Sequence, residues 1–171
     1  MDIECATFHL NTTNISSNPN VTNQYGSINA DRNDVTWYNV SLKTILGDMF
    51  DKYDKYNIKL ITLFTAISTT PVSSNSADLN LQINITGLPF SNCTYNTKFN
   101  SNTSSCVLGS FTLNPQARIL SYNDDAIFTI EKPTETHNIQ IFFTTLNNTA
   151  PVWSLAGPNF DLYFRIYPCK N

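Results

Sequence analysis

The stretch FDLYFRIYP, Phe160 to Pro168, alternates apolar and polar side chains over most of its length. Phe160, Leu162, Phe164 and Ile166 share one face; Asp161, Tyr163, Arg165 and Tyr167 share the other. A period of two belongs to an extended chain, whose successive side chains leave on opposite sides. Leu79 to Ile85 repeats the pattern, with Leu79, Leu81, Ile83 and Ile85 opposed to Asn80, Gln82 and Asn84. Further strand signals fall at 2–10 (Ala6, Phe8 and Leu10 on one face), Val35–Val40, Asn57–Ser68, Cys106–Leu113, Arg118–Tyr122, Ala126–Glu131 and Asn138–Leu146. Turn chemistry separates them: Thr-Pro near 70, Gly-Leu-Pro at 87–89, Asn-Pro at 114, Asn-Asp-Asp at 123, Lys-Pro at 132 and Gly-Pro at 157. Eight or nine short strands in one domain predict an all-β sandwich or barrel of Greek-key or jelly-roll type.

One segment breaks the pattern. LKTILGDMFDKYDKYNIKL (42–60) places Leu42, Ile45, Leu46, Met49, Tyr53 and Tyr56 at helical spacing, with Ser41 as the N-cap, and predicts a helix over about 42–56. Asp48, Asp51, Asp54, Lys52 and Lys55 then form its solvated side. Gly47 inside a helix costs about 1 kcal/mol against Ala, so a close neighbour is expected there. Residues 11–34 are polar and aperiodic, and read as a long loop or arm.

The strand after the helix carries apolar residues on both faces: Ile58, Leu60, Phe64 and Ala66 on one, Ile61, Leu63 and Ile67 on the other. A sandwich strand with one wet face should not do this, so the helix, the long loop or another subunit is expected to cover the second face. Ile61, Leu63 and Ile67, with the outward row Asp161, Tyr163, Arg165 and Tyr167, are the candidate subunit interface. Tyr and Arg are enriched in such contacts.

Composition narrows the function. Charged residues make up 13% of the 171 residues, against about 25% in an average domain, and Asn, Thr and Ser fill the gap. The net charge of −3 and the lack of a basic stripe argue against direct nucleic-acid binding. The opening MDIECATFHL reads as neither signal peptide nor anchor, and no apolar run is long enough to span a bilayer. A reducing compartment is the expectation. Of the four cysteines, Cys93 and Cys106 flank a polar hairpin-like segment and could be bridged, or all four could be free thiols.

No catalytic, cofactor-binding or metal-ligating set is found. DMFDKYDKYNIK lacks the order of a calcium loop. His9 and His137 lie in separate strand regions and read as surface or interface residues. No nucleophile elbow or phosphate loop is present, and Asp124–Asp125 fits a turn. No enzyme is expected. Eight Asn-x-Ser/Thr sequons (Asn11, Asn14, Asn20, Asn39, Asn84, Asn92, Asn102, Asn147) keep open a glycosylated lectin-like sandwich that reads carbohydrate with Trp37, Tyr38 or Trp153.

Four pieces carry a family resemblance: WYNVSLKTILGDMFDKYDKYNIKLITLFTAIS (37–68), ITGLPFSNCTYNTKFN (85–100), SSCVLGSFTL (104–113) and FDLYFRIYP (160–168). Over roughly 35–168 the chain resembles the single jelly-roll capsid proteins, penton or minor capsid, of nucleocytoplasmic large DNA viruses, the giant-virus group. The resemblance implies one jelly-roll domain over 1–171, made of two antiparallel four-stranded sheets. It also implies a structural virion protein without cofactors, assembled in the host cytoplasm into an icosahedral capsid. The implied partners are further copies of itself, as a homopentameric vertex, together with the major and other minor capsid proteins.

Overall fold

A computed structural model describes residues 4–11, 27–29, 34–65, 80–92, 105–112, 127–145 and 160–169. Ten strands are found there: β1 (Ala6–Asn11), β2 (Ser27–Asn29), β3 (Asp34–Ser41), β4 (Lys55–Thr65), β5 (Asn80–Thr86), β6 (Phe90–Asn92), β7 (Cys106–Thr112), β8 (Phe128–Glu131), β9 (Thr136–Thr145) and β10 (Phe160–Pro168). One helix, α1 (Leu42–Leu46), joins β3 to β4. The strand expected at Arg118–Tyr122 lies outside the described residues.

The strands form two five-stranded antiparallel sheets, ordered β1-β10-β4-β8-β6 and β2-β3-β9-β5-β7. Four pairings are nested: β1 with β10, β3 with β9, β4 with β8, and β5 with β7. This is one long hairpin folded over. Wrapping it brings β10 beside β4 and β9 beside β5. Eight strands so ordered make a single jelly roll. The two additional strands explain why each sheet has five strands rather than the expected four. β2 arises within the stretch read as loop and pairs with β3, and β6 pairs with β8. Both span three residues, too short for a period to show in sequence.

The inner faces supply the core. Phe8 and Leu10 of β1, Ile58, Leu60 and Leu63 of β4, and Leu162, Phe164 and Ile166 of β10 meet Val35, Trp37, Ile83, Ile85, Leu108, Ile139 and Ile141 of the other sheet. Phe8 stacks on its cross-strand partner Phe164 at 4.9 Å.

Bulges in β4 and β3 help to keep these faces in phase, and β7 carries another opposite Ile83 and Asn84 of β5. β4 slips by one residue against β10: Leu60 pairs with Phe164 but Thr62 with Tyr163, leaving Ile61 as the extra residue. Without the slip, Leu63 would point to solvent; with it, Leu63 is fully buried and Ile61 is 40% exposed. Ile61 and Leu63 therefore do not share one face, and the doubly apolar pattern needs no external cover to explain Leu63. Ile67 lies outside the described residues. β3 slips likewise between Trp37 and Val40, around Asn39 at φ +54, a conformation asparagine tolerates.

The helix is shorter than the spacing predicted. Ser41 caps it as expected, its hydroxyl accepting from the Thr44 amide at 3.1 Å. It ends at Gly47, which adopts φ +56 and ψ −130, and a 3-10 turn (Gly47–Met49) follows. Gly47 is needed for that backbone conformation and not for a close neighbour, since a Cβ there would meet nothing within 4 Å. Tyr56, placed on the helix by its spacing, belongs to β4. It is fully buried, and its hydroxyl donates to the Met49 carbonyl at 2.6 Å, tying the strand to the turn before it.

Candidate interaction surface

The outer face of the β1-β10-β4-β8-β6 sheet collects most of the residues proposed from sequence as a subunit interface. Because β10 alternates strictly, burying Leu162, Phe164 and Ile166 turns Asp161, Tyr163, Arg165 and Tyr167 outward. Tyr163 and Arg165 are exposed, Asp161 and Tyr167 half-buried. The register sets each beside named neighbours. Tyr163 lies between His9 of β1 and Thr62 of β4, and Arg165 between Thr7 and Lys59.

The His9 and Tyr163 rings stack at 4.1 Å with 8° between their planes. His9 Nε2 also approaches Asp161 Oδ1 at 3.5 Å. The stack covers one side of the phenol ring, so Tyr163 is positioned while remaining 38% exposed. Ile61 adds an aliphatic group where the bulge falls, on the β4 side of Tyr163. Arg165 and Lys59 are direct cross-strand neighbours, which concentrates positive charge next to the aromatic pair. At the far end, Lys55 Nζ meets Glu131 Oε1 at 2.6 Å. Hydrogen bonding to Glu131 raises the Lys55 pKa, and hydrogen bonding to Lys55 lowers that of Glu131.

Such a face is chemically suited to protein contact: a positioned aromatic, an exposed aliphatic group and flanking charges of both signs. Sequence alone identified its β10 row. It read His9 as a surface or interface residue without placing it here and missed Lys59; strand register alone brings both to the row.

The remaining candidates fall elsewhere. Trp37 is 6% exposed and donates from Nε1 to the Asn11 carbonyl at 2.9 Å, so it is a core residue and not a carbohydrate platform. Tyr38 is half-buried, and Trp153 lies outside the described residues. Asn84 is fully buried, with its amide directed at Thr144 Oγ1 at 3.2 Å, which removes it as a glycan acceptor in the folded chain. Asn39 and Asn92 are exposed and Asn11 is half-buried; the other sequons lie outside the described residues. Asp48, Asp51 and Asp54 are exposed, as expected. Cys106 is buried in the core, Cys93 lies outside the described residues, and Cys5 and Cys169 carry free thiols. Among the described residues, no group of three or more His, Cys, Asp and Glu is placed to hold a metal ion.

The nested strand order defines the class: a single jelly-roll β-sandwich. The sequence matches no family model and no curated protein. Among solved structures, the chain is similar to the mavirus penton protein, known from a crystal structure of its selenomethionine-labelled form, with 12% sequence identity and a TM-score of 0.33. The match covers 84% of this chain and 58% of that one, so this chain spans little more than half the length of that penton protein.

Proposed function

We propose that this chain is a structural capsid subunit, a single jelly roll that closes the five-fold vertices of an icosahedral virion as a homopentamer. Its role is assembly and not catalysis. The observation that supports this reading best is the outer sheet face, where Tyr163, positioned by His9, stands exposed beside Ile61, Arg165 and Lys59. A five-fold ring is a heterologous contact that closes on itself, so each subunit presents two different patches, of which this face is one. In the virion the remaining partners are the neighbouring capsid proteins. No helix among the described residues is long and apolar enough to cross a membrane.

Light scattering across a concentration series tests the proposal directly. A five-subunit mass, or a monomer converting to it on concentration, is the expected result. Tyr163→Ala with Arg165→Glu is expected to shift assembly to at least tenfold higher concentration, since truncating an interface aromatic commonly costs about 2 kcal/mol, while the monomer's thermal midpoint stays within a few degrees. A strict monomer at high concentration overturns the vertex reading. It leaves a minor capsid position, in which the partner is the major capsid protein.

A further inference from the structure

Three connections are linked by hydrogen bonds: α1 bonds to the β8–β9 turn (132–135) through Glu135, and that turn is tied to the β5–β6 turn at Gly87. His137, at the start of β9, bridges the latter two. Its Nδ1 lies 2.9 Å from the Gly87 carbonyl oxygen, and its Nε2 lies 3.2 Å from Thr134 Oγ1. The Thr134 hydroxyl in turn donates to the Thr136 carbonyl at 3.0 Å.

Proton counting fixes the roles. A carbonyl oxygen only accepts, so Nδ1 must carry a proton to bond Gly87. The Thr134 hydroxyl has one proton, and the Thr136 carbonyl takes it. Thr134 Oγ1 can then meet Nε2 only as an acceptor, which requires a proton on Nε2 as well. All three bonds coexist only when the ring is an imidazolium. When the ring is neutral with its proton on Nδ1, the Thr134 hydroxyl faces two acceptors, Nε2 and the Thr136 carbonyl, and can satisfy one.

From this geometry we infer that His137, Thr134 and Gly87 form a proton-operated clasp, closed when the His137 ring is doubly protonated and loosened at the β8–β9 turn when it is neutral. The clasp therefore loosens when the ring gives up its second proton. The charged groups around it come from two elements. Glu135 and Lys132 lie on the β8–β9 turn, and Lys43 of α1 pairs with Glu135 at 2.7 Å. The β5–β6 turn, residues 87–89, offers only backbone polar groups, and Val40 of β3 lies opposite His137. Neither adds a charge that would substitute for the ring proton. The Lys43–Glu135 pair, together with the Lys43 amide donating to the Glu135 carbonyl at 3.4 Å, keeps the turn docked on α1 while the clasp opens.

The test uses the full chain. Nitrogen-resolved NMR of the imidazole rings, run from about pH 5 to 8, reads both ring protons directly, and amide hydrogen exchange of residues 134–137 reads the turn. At the acidic end both His137 nitrogens are expected to be protonated. Loss of the Nε2 proton should coincide with a rise of about fivefold in the turn's opening equilibrium, the equivalent of one net hydrogen bond. Thr134→Val removes the hydroxyl without touching the core and should flatten that pH dependence. His9→Asn removes the other histidine and should leave the dependence unchanged. The clasp is overturned if His137 keeps a single ring proton throughout, or if Thr134→Val opens with the same pH profile as the parent chain. Opening that follows His9 instead assigns the effect to the β1–β10 face and also refutes it.

Discussion

Gly47 and Gly87 offer a controlled comparison, because both have positive φ and differ in what surrounds them. Gly87 sits at φ +93, and a Cβ built there would lie 1.9 Å from the Asn138 carbonyl oxygen and 2.9 Å from its carbon. Both atoms belong to the β9 backbone, so no side-chain rotation relieves the overlap. Gly47 sits at φ +56 with open space around it. Gly47→Ala therefore adds only the strain of an L-residue in a disfavoured region, about 1–3 kcal/mol. Gly87→Ala adds comparable strain plus the cost of pushing β9 and the β5–β6 turn apart, about 1–3 kcal/mol more by analogy with overpacking. In a chain of this size each kcal/mol lowers the thermal midpoint by about 2–4 °C, so Gly87→Ala should melt several degrees below Gly47→Ala. Urea unfolding at fixed pH, with equal slopes for both variants, gives the difference in free energy without extrapolation across temperature. Equal losses for the two alanines would show that the Gly87 turn does not press against β9, and would remove the physical basis for its place beside His137.

Two further outcomes follow from burial and charge. Leu63→Ala should cost about 2–5 kcal/mol, the range for truncating a fully buried leucine, and urea unfolding reads it. A loss below about 1 kcal/mol would mean that the bulge does not turn Leu63 inward. The exposed Lys55–Glu131 pair should contribute a small, salt-sensitive stabilisation present across neutral pH. Because the Glu131 pKa is lowered, its part is present above the ordinary carboxylate range and fades as pH falls through the depressed value. Because the Lys55 pKa is raised, its part is present below the ordinary lysine range and fades as pH rises through the raised value. Melting Glu131→Gln at low and high salt, across pH, checks both signs.

The strands were legible where alternation runs unbroken, and β10 shows why. Its residues keep one phase from Asp161 to Tyr167, so over those positions the inward and outward rows read from sequence are the rows observed. The misreadings fall where one residue changes the phase. In β4 the pattern Ile58, Leu60, Leu63 breaks a strict period of two, and sequence gave no means of locating the slip, because Ile61 and Leu63 are equally apolar. Helical spacing carried on past Leu46 because Met49, Tyr53 and Tyr56 keep an amphipathic order, although Gly47 had already turned the chain. Tyr56 satisfies the apolar pattern of a helix while being buried in a strand, its hydroxyl bonded back to the turn. The interaction surface was half visible for a related reason. A row along one strand can be read from its own sequence, but the neighbours of Tyr163 are set by long-range pairing, and His9 lies more than 150 positions away in the chain.

The bulge at Ile61 links fold and surface, and deleting that residue separates the two. With Ile61 removed, Leu60 stays opposite Phe164, Thr62 opposite Tyr163 and Leu63 opposite Leu162, now in an unbroken ladder. Leu60 and Leu63 remain inward and Thr62 outward, so the core keeps its phase. The deletion relaxes the extra local twist that a bulge imposes, and removes an isoleucine that is 40% exposed. If the bulge serves only to correct the phase of β4, the variant should fold cooperatively with a midpoint within about 4 °C of the parent chain, equivalent to about 1–2 kcal/mol. If Ile61 also belongs to the subunit contact, the same variant should assemble at higher concentration despite its intact fold, as read by light scattering. A variant destabilised as much as Leu63→Ala would mean that the twist itself is needed to seat β4 between β10 and β8. A stable variant that assembles like the parent would leave Tyr163 and Arg165 as the contact, with Ile61 no more than the residue by which β4 regains its register.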